Sequence, residues 1–399
     1  MLAAIGGGNG DTMRTLIKNG KVVTGTAVIK GCVAYTDGII DYVGTQEIEA
    51  DEIIDAEGGF IVPGFIDIHC HGGNNLEFMD ASVEEIGSIA DFHLSHGTTS
   101  LFATTLAADG GETAAALDRL TEYKKAHPES SILGVHLEGP WLNPAQCGAQ
   151  NTSYMKLPNA AELRALKEKY PFIYKVGAAP ELEGGAEFGE EGKRLGIVMS
   201  PAHTDGTFSD MEEALKHGYN VMTHLYSGMK GTERKNAYRV AGAVEAGLYF
   251  DEYYAEIIAD GKHLPIDLLK YIFKVKGPDR ICMITDAIRA AGLPNGAKTK
   301  IGSLKRGLDV IVEDDVAKMP DRQAFAGSTA TADRLYRTMA AAIGTKDECL
   351  VAISKMSSLT PAKLMGLTDR GEIAEGKRAD IIILTPDLEI KKIITDRKN

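Results

Sequence analysis

From residue 65 onward, short runs of apolar and β-branched residues alternate with longer stretches in which apolar positions recur every three or four residues. The first pattern has the length of a buried strand and the second the period of an amphipathic helix. Their alternation predicts βα units on a parallel sheet. Strand-like runs fall at 65–71, 98–103, 132–138, 172–178, 196–203, 219–224, 254–260 and 281–286. Eight parallel strands predict an α/β fold closed as a (β/α)8 TIM-type barrel. Helices are expected between them at 82–95, 109–126, 159–168, 209–216, 264–274 and 331–342. The first opens on Ser82 with Glu85 three residues on, the spacing of a capping box. In the third, Leu163 and Leu166 share one face, expected to pack on the barrel.

The chain ends read differently. Thr15-Leu16-Ile17, Lys21-Val22-Val23, Ala27-Val28-Ile29 and Asp41-Tyr42-Val43-Gly44 are short strands separated by glycine turns, and Gly371 to Leu384 has the same character. Because chain termini often lie close together, 13–62 and 367–399 are expected to join as one small β-sandwich domain beside a barrel of 63–366. Residues 1–12 are read as a disordered extension.

Composition narrows the class. A chain of 399 residues with 44% hydrophobic residues and 44 glycines fits a large α/β protein with many tight turns. No segment approaches the ~20 apolar residues of a membrane span, so no membrane partner is expected. The formal net charge of -13 argues against nucleic acid, whose phosphates demand a basic surface. Met1 to Ile5 is too short for the apolar core of a signal peptide, and the five cysteines form no CxxC pair. Reduced thiols in a cytoplasmic protein are therefore expected.

Active-site residues of a barrel cluster at the C-terminal ends of its strands, and the chemistry is concentrated there. Strand 1 ends in His69 and His71, which share a face because strand side chains alternate. His136 and Glu138 do the same on strand 3, His203 ends strand 5, His224 strand 6 and Asp286 strand 8, while His263 follows strand 7. Six of the ten histidines thus stand at or just beyond strand ends. Glu138, His203 and His224 form a three-ligand set that leaves a position open for water, suited to a divalent ion such as zinc, or iron. Asp286 is a candidate to take a proton from water and pass it to a leaving amine. His263 is placed to hydrogen-bond a substrate or a developing oxyanion. Cys147, in the loop after Glu138, is read as a bystander.

These motifs resemble the amidohydrolase superfamily, and within it the N-acetylglucosamine-6-phosphate deacetylases. The resemblance is carried by Pro63-Gly64-Phe65-Ile66-Asp67-Ile68-His69-Cys70-His71-Gly72, His136-Leu137-Glu138-Gly139-Pro140, Ser200-Pro201-Ala202-His203-Thr204, Thr223-His224-Leu225-Tyr226, Asp260-Gly261-Lys262-His263, Thr285-Asp286-Ala287 and Ala326-Gly327-Ser328. It implies that Glu138, His203 and His224 bind the metal and that Asp286 shuttles the proton. A second ion at His69 and His71, bridged by Glu138, gives one or two ions per chain. It also implies sugar contacts from His263, Ala149, Gln150, Ser227, Gly228, Phe325, Ala326 and Gly327.

The chain departs from the family pattern in three places. Ser227-Gly228 stands where members usually have Asn-Ala, and Gln150 where many have histidine. Glu233 to Arg239 replaces an Arg-Glu-Pro-Gly segment that often reaches phosphate across a dimer interface. Arg234, Lys235 or Arg239 meets a 6-phosphate there, or the run is a solvated charged face. The implied activity is deacetylation of N-acetylglucosamine 6-phosphate by a homodimer in amino-sugar catabolism. The alternatives are N-acetylgalactosamine 6-phosphate or another N-acyl amine as substrate, or a non-catalytic sugar-phosphate-binding homologue.

Overall fold

The computed structural model describes residues 13–397 and residue 399; the extension read at 1–12 lies outside them. Parallel strands Phe65–Cys70, Thr98–Thr105, Ile132–Glu138, Ile173–Ala178 and Val198–Pro201 lie side by side in chain order. Val221–Met222, Tyr254–Ile257 and Ile281–Met283 form a second parallel ladder. A parallel bridge between Met199 and Tyr219 joins the two. At the far side, Asp286 N donates to His69 O at 2.9 Å and His71 N donates to Ala287 O at 2.8 Å. The product is a parallel sheet curled around its own inner face.

Alternation along each strand decides what that face carries. Val135, Leu137, Val176 and Ala178 point outward, packing with Ile86, Ile89, Leu117, Leu120, Leu163 and Phe188. On the second ladder Ala255, Ile257, Ile281 and Met283 meet Leu269, Ile272, Leu335 and Met339. Burying each such Leu or Ile contributes about 1.5–3 kcal/mol. The intervening positions, His136, Glu138, Lys175 and Glu256, are buried with these strands but belong to neither apolar cluster.

The expected helices form at Val83–Ser95, Gly110–Ala126, Ala160–Lys169, Phe208–Lys216, Ile266–Lys276 and Ala332–Ile343. The Ser82 hydroxyl accepts from Glu85 N at 3.3 Å, and Glu85 Oε2 accepts from Ser82 N at 2.8 Å, completing the box. Leu163 is fully buried and Leu166 packs on the same cluster.

Several expectations need correction. Strands expected to run through 203, 224, 260 and 286 stop at Pro201, Met222, Ile257 and Met283. His203, His224 and Asp286 lie beyond those ends at φ of 43°, 29° and 49°, left-handed backbone that no strand can hold. Thr15–Ile17 and Lys21–Val23 are one strand, Arg14–Val23, with a register irregularity between Ile17 and Gly20 where Asn19 takes φ 56°. Helix Gly185–Arg194 and a three-stranded antiparallel sheet, Lys298–Ile301, Leu308–Glu313 and Val316–Lys318, were not expected.

Both chain ends do meet. Ile381–Leu384 pairs antiparallel with Phe60–Pro63, which pairs with Arg14–Val23, in a mixed seven-stranded sheet. Ile381 and Ile383 join the cluster of Ile17, Val33 and Ile61. Ile382 and Leu384 turn the other way, into the cluster of Val62, Phe65 and Tyr336. Period-two alternation thus ties the chain-end sheet to the flank of the curled one. Among the described residues no helix is long and apolar enough to cross a membrane.

Candidate metal centre and substrate cavity

At the C-terminal rim of the curled sheet, side chains from five strand ends converge. Glu138 Oε1 lies 2.8 Å from His224 Nε2 and 3.2 Å from His203 Nε2. Its Oε2 is 3.3 Å from His71 Nε2, and His69 Nε2 stands 3.6 Å from Oε1. Asp286 Oδ1 faces the same pair, 3.0 Å from His71 Nε2 and 3.4 Å from His69 Nε2. His69 and His71 approach within 3.2 Å, whereas Cys70 turns away to His93. The expected same-side placement of the two histidines is observed.

The donor atoms fall into two sets with spacing suited to a metal ion, His69, His71 and Glu138, and Glu138, His203 and His224. Their hydrogen bonds fit that use. His203 Nδ1 is 2.8 Å from Gln146 O and His224 Nδ1 is 3.0 Å from Ser227 O. A carbonyl only accepts, so each Nδ1 carries the proton and each Nε2 turns a lone pair to Glu138. Lone pairs facing a carboxylate call for a cation between them. Without a metal ion, protons take that part. Burial opposes charging His71, yet hydrogen bonds to Asp286 and Glu138 prevail and push its pKa up to about 10. Burial likewise opposes ionising Glu138, but the His69 charge and hydrogen bonds from His203 and His224 hold it well below the carboxylate range. The donor set, one carboxylate with buried imidazoles and a second carboxylate alongside, fits a borderline divalent ion.

The model of the amidohydrolase family matches residues 60–398. The chain belongs to the amidohydrolase family. It is 33% identical to N-acetylglucosamine-6-phosphate deacetylase of Bacillus subtilis (strain 168), over 94% of each chain. It is also 30% identical to N-acetylgalactosamine-6-phosphate deacetylase of Escherichia coli O157:H7, over 90% of this chain and 91% of that one. Among solved structures it resembles a mutant N-acetyl-D-glucosamine-6-phosphate deacetylase from Mycobacterium smegmatis in complex with N-acetyl-D-glucosamine-6-phosphate. The TM-score is 0.88 at 28% identity, covering 97% of this chain and 98% of that one.

In this amidohydrolase the candidate ligands floor a cavity of about 270 Å³, lined by Glu138, His203, His224, Asp286, His263, Ala149, Gln150, Ser227, Gly228, Phe325 and Gly327 among others. Its size lies near the small end of ligand pockets, ~300–1,000 Å³. The sequence-expected contacts assemble there with exceptions. Ala326 is buried and turned from the cavity. Arg234 and Lys235 lie on an exposed hairpin, Glu233–Lys235 with Tyr238–Val240, and do not line it. Among the described residues no Lys or Arg lines the cavity. Cys147 does not line it either. His263 is held by Asp260, whose Oδ2 is 2.9 Å from Nδ1, and its ring packs 4.6 Å from that of Phe325.

Gln150 has a second attachment that the sequence did not suggest. Its Nε2 donates to Glu138 Oε2 at 2.7 Å while its Oε1 accepts from Ala107 N at 2.8 Å. It therefore orients the carboxylate at the centre. Three buried charged residues were also missed. Asp67 accepts from Thr285 Oγ1 at 2.5 Å, and burial pushes its pKa up to about 6. Lys175 and Glu256 lie beneath His69. Each stands in an apolar strand, as in Ile66-Asp67-Ile68 and Ala255-Glu256-Ile257. A charge inside an otherwise apolar run was the available signal.

Proposed function

We propose that this protein hydrolyses the N-acetyl group of N-acetylglucosamine 6-phosphate to give glucosamine 6-phosphate and acetate. The observation that carries the reading is one cavity lined by Glu138, His203, His224 and Asp286 together. The relatives in Bacillus subtilis and Mycobacterium smegmatis support the substrate.

Glu138, His203 and His224 hold a divalent ion, zinc or iron, and His69 and His71 offer Nε2 atoms for a second. Such an ion, when bound, polarises the amide carbonyl and acidifies water. Asp286 takes a proton from the attacking water as its oxygen joins the carbonyl carbon. It then delivers that proton to the nitrogen as the C–N bond breaks, so amine and acetate leave in balance. Its carboxylate is suited to accept first, because the His69 charge and a hydrogen bond from His71 outweigh burial and hold its pKa low. His263, its Nδ1 engaged by Asp260, keeps Nε2 for the substrate, and Ser227, Gly228, Phe325 and Gly327 wall the sugar.

Among the described residues no Lys or Arg lines this cavity to pair with a 6-phosphate. Arg234, Lys235 or Arg239 from the exposed hairpin of a partner supplies the charge in a homodimer. The curled sheet closes as a (β/α)8 barrel over 63–366, a reading supported by the bond from Asp286 N to His69 O. Residues 13–62 and 367–399 make up a small β-domain, a reading supported by their shared seven-stranded sheet. The free cysteines suit a cytoplasmic enzyme.

The Escherichia coli relative favours a second reading, the same reaction on N-acetylgalactosamine 6-phosphate. Acetate release from phosphorylated and unphosphorylated N-acetylglucosamine and N-acetylgalactosamine tests both. The highest kcat/KM is expected on N-acetylglucosamine 6-phosphate; turnover of unphosphorylated amides alone refutes the assignment.

A further inference from the structure

Beneath the metal centre, inside the curled sheet, lies an ion pair for which the hydrolytic steps have no use. Lys175 and Glu256, on Ile173–Ala178 and Tyr254–Ile257, are fully buried, and Lys175 Nζ contacts Glu256 Oε1. Desolvating two charges is costly, and apolar residues of similar volume in such a place are often as stable or more so. Packing gives no reason for the pair.

Its other contacts do. Glu256 Oε2 lies 3.3 Å from His69 Nδ1 and accepts from His224 N at 3.4 Å. The far nitrogen of the same ring, Nε2, faces His71, Glu138 and Asp286. A carboxylate only accepts, so it draws the proton to Nδ1 and leaves the Nε2 lone pair aimed into the cluster. On its other flank the His69 ring meets His136 edge to face at 4.6 Å, and His136 Nδ1 is 3.4 Å from Lys175 Nζ. His69 is thus oriented from two sides by one buried network.

We propose that Glu256 is a positioning residue that holds His69 as an Nε2 ligand, so that the hold of His69, His71 and Glu138 on a second divalent ion depends on it. Lys175 balances the charge of Glu256 in the interior. The inference rests on the metal centre described above and says which residues decide its occupancy.

Zinc binding to the metal-free full chain, followed by competition with a chelator, tests it without substrate. The unaltered protein is expected to take two zinc ions per chain. The double variant Lys175→Met/Glu256→Leu removes acceptor and balancing charge together, and its second ion should bind ~10–100-fold more weakly. Lys175→Met/Glu256→Gln keeps an acceptor oxygen for Nδ1–H and should retain both ions. One ion in the unaltered protein, unchanged second-site affinity in the leucine variant, or equal loss in the glutamine variant overturns the proposal. Nitrogen-15 spectra of the zinc-loaded unaltered protein, with His69 assigned by its absence in His69→Gln, give a check independent of variant folding. The Nδ1–H tautomer supports the proposal, and Nε2–H overturns it. No zinc at all would sink the metal centre itself, whereas one ion sinks only this inference.

Discussion

Replacing Asp286 by asparagine isolates its proton chemistry from its place in the fold. The backbone at this position is pinned on both sides, Asp286 N donating to His69 O at 2.9 Å and Asp286 O accepting from Ser328 N at 2.8 Å. The asparagine side chain has the same shape, and its oxygen can still accept at the Oδ1 position, 3.0 Å from His71 Nε2. What it cannot do is take a proton from water. General acid–base catalysis by a positioned side chain contributes ~10²–10⁴-fold. At 1.36 kcal/mol per tenfold this is about 3–5 kcal/mol of transition-state stabilisation. Acetate release by Asp286→Asn should therefore fall by that factor in kcat, with KM and bound metal near those of the unaltered enzyme. A fall of less than ~10-fold in fully metal-loaded protein would refute the proton-shuttle role. Loss of metal in step with activity would instead make Asp286 chiefly a ligand.

Three further outcomes are expected. Burial holds the pKa of His93 down at about 4, below the ~6.5 of an exposed histidine, so between these values the unfolded chain binds the extra proton. This contribution is complete above pH ~6.5 and up to about 3 kcal/mol is lost as pH falls through ~4; urea midpoints at pH 7 and 4.5 should differ less in His93→Gln than in the unaltered protein. Gln150→Ala leaves Ala107 N and Glu138 Oε2 without their partner. It should cost about 1–3 kcal/mol in urea unfolding and weaken metal binding, read by chelator competition. Arg289 is buried, with Nε 3.1 Å from Glu77 Oε2 and a terminal nitrogen 2.7 Å from Asp80 Oδ1. Arg289→Met strands those carboxylates and should destabilise by about 3–5 kcal/mol, and an unchanged unfolding midpoint would count against the pair.

Much of the site was legible before any coordinates, because its chemistry is written in short local patterns. The His69/His71 and His136/Glu138 spacings read directly as shared strand faces, and Ser82 with Glu85 read as a helix start. What was hidden depended on partners distant in the chain. Gln150 reaches Glu138 and Ala107 only because the loop after the third parallel strand folds back over the cluster. Lys175 and Glu256, 81 positions apart by number, find one another across the inside of the sheet. Helix Gly185–Arg194, with glycine at 184, 185, 189 and 192, carries weak local propensity and forms around buried Phe188.

Residue types and their periodicity were enough to establish the alternating βα order, the ligand candidates and the net negative charge. Such properties follow from side-chain chemistry and from repeats of 2 and 3.6, which survive in one dimension. The direction each ring nitrogen faces, the left-handed backbone at His203, His224 and Asp286, and the exclusion of Arg234 and Lys235 from the cavity belong to the fold alone. They are set by hydrogen bonds and packing between segments far apart in the chain, and no local pattern records which segments meet.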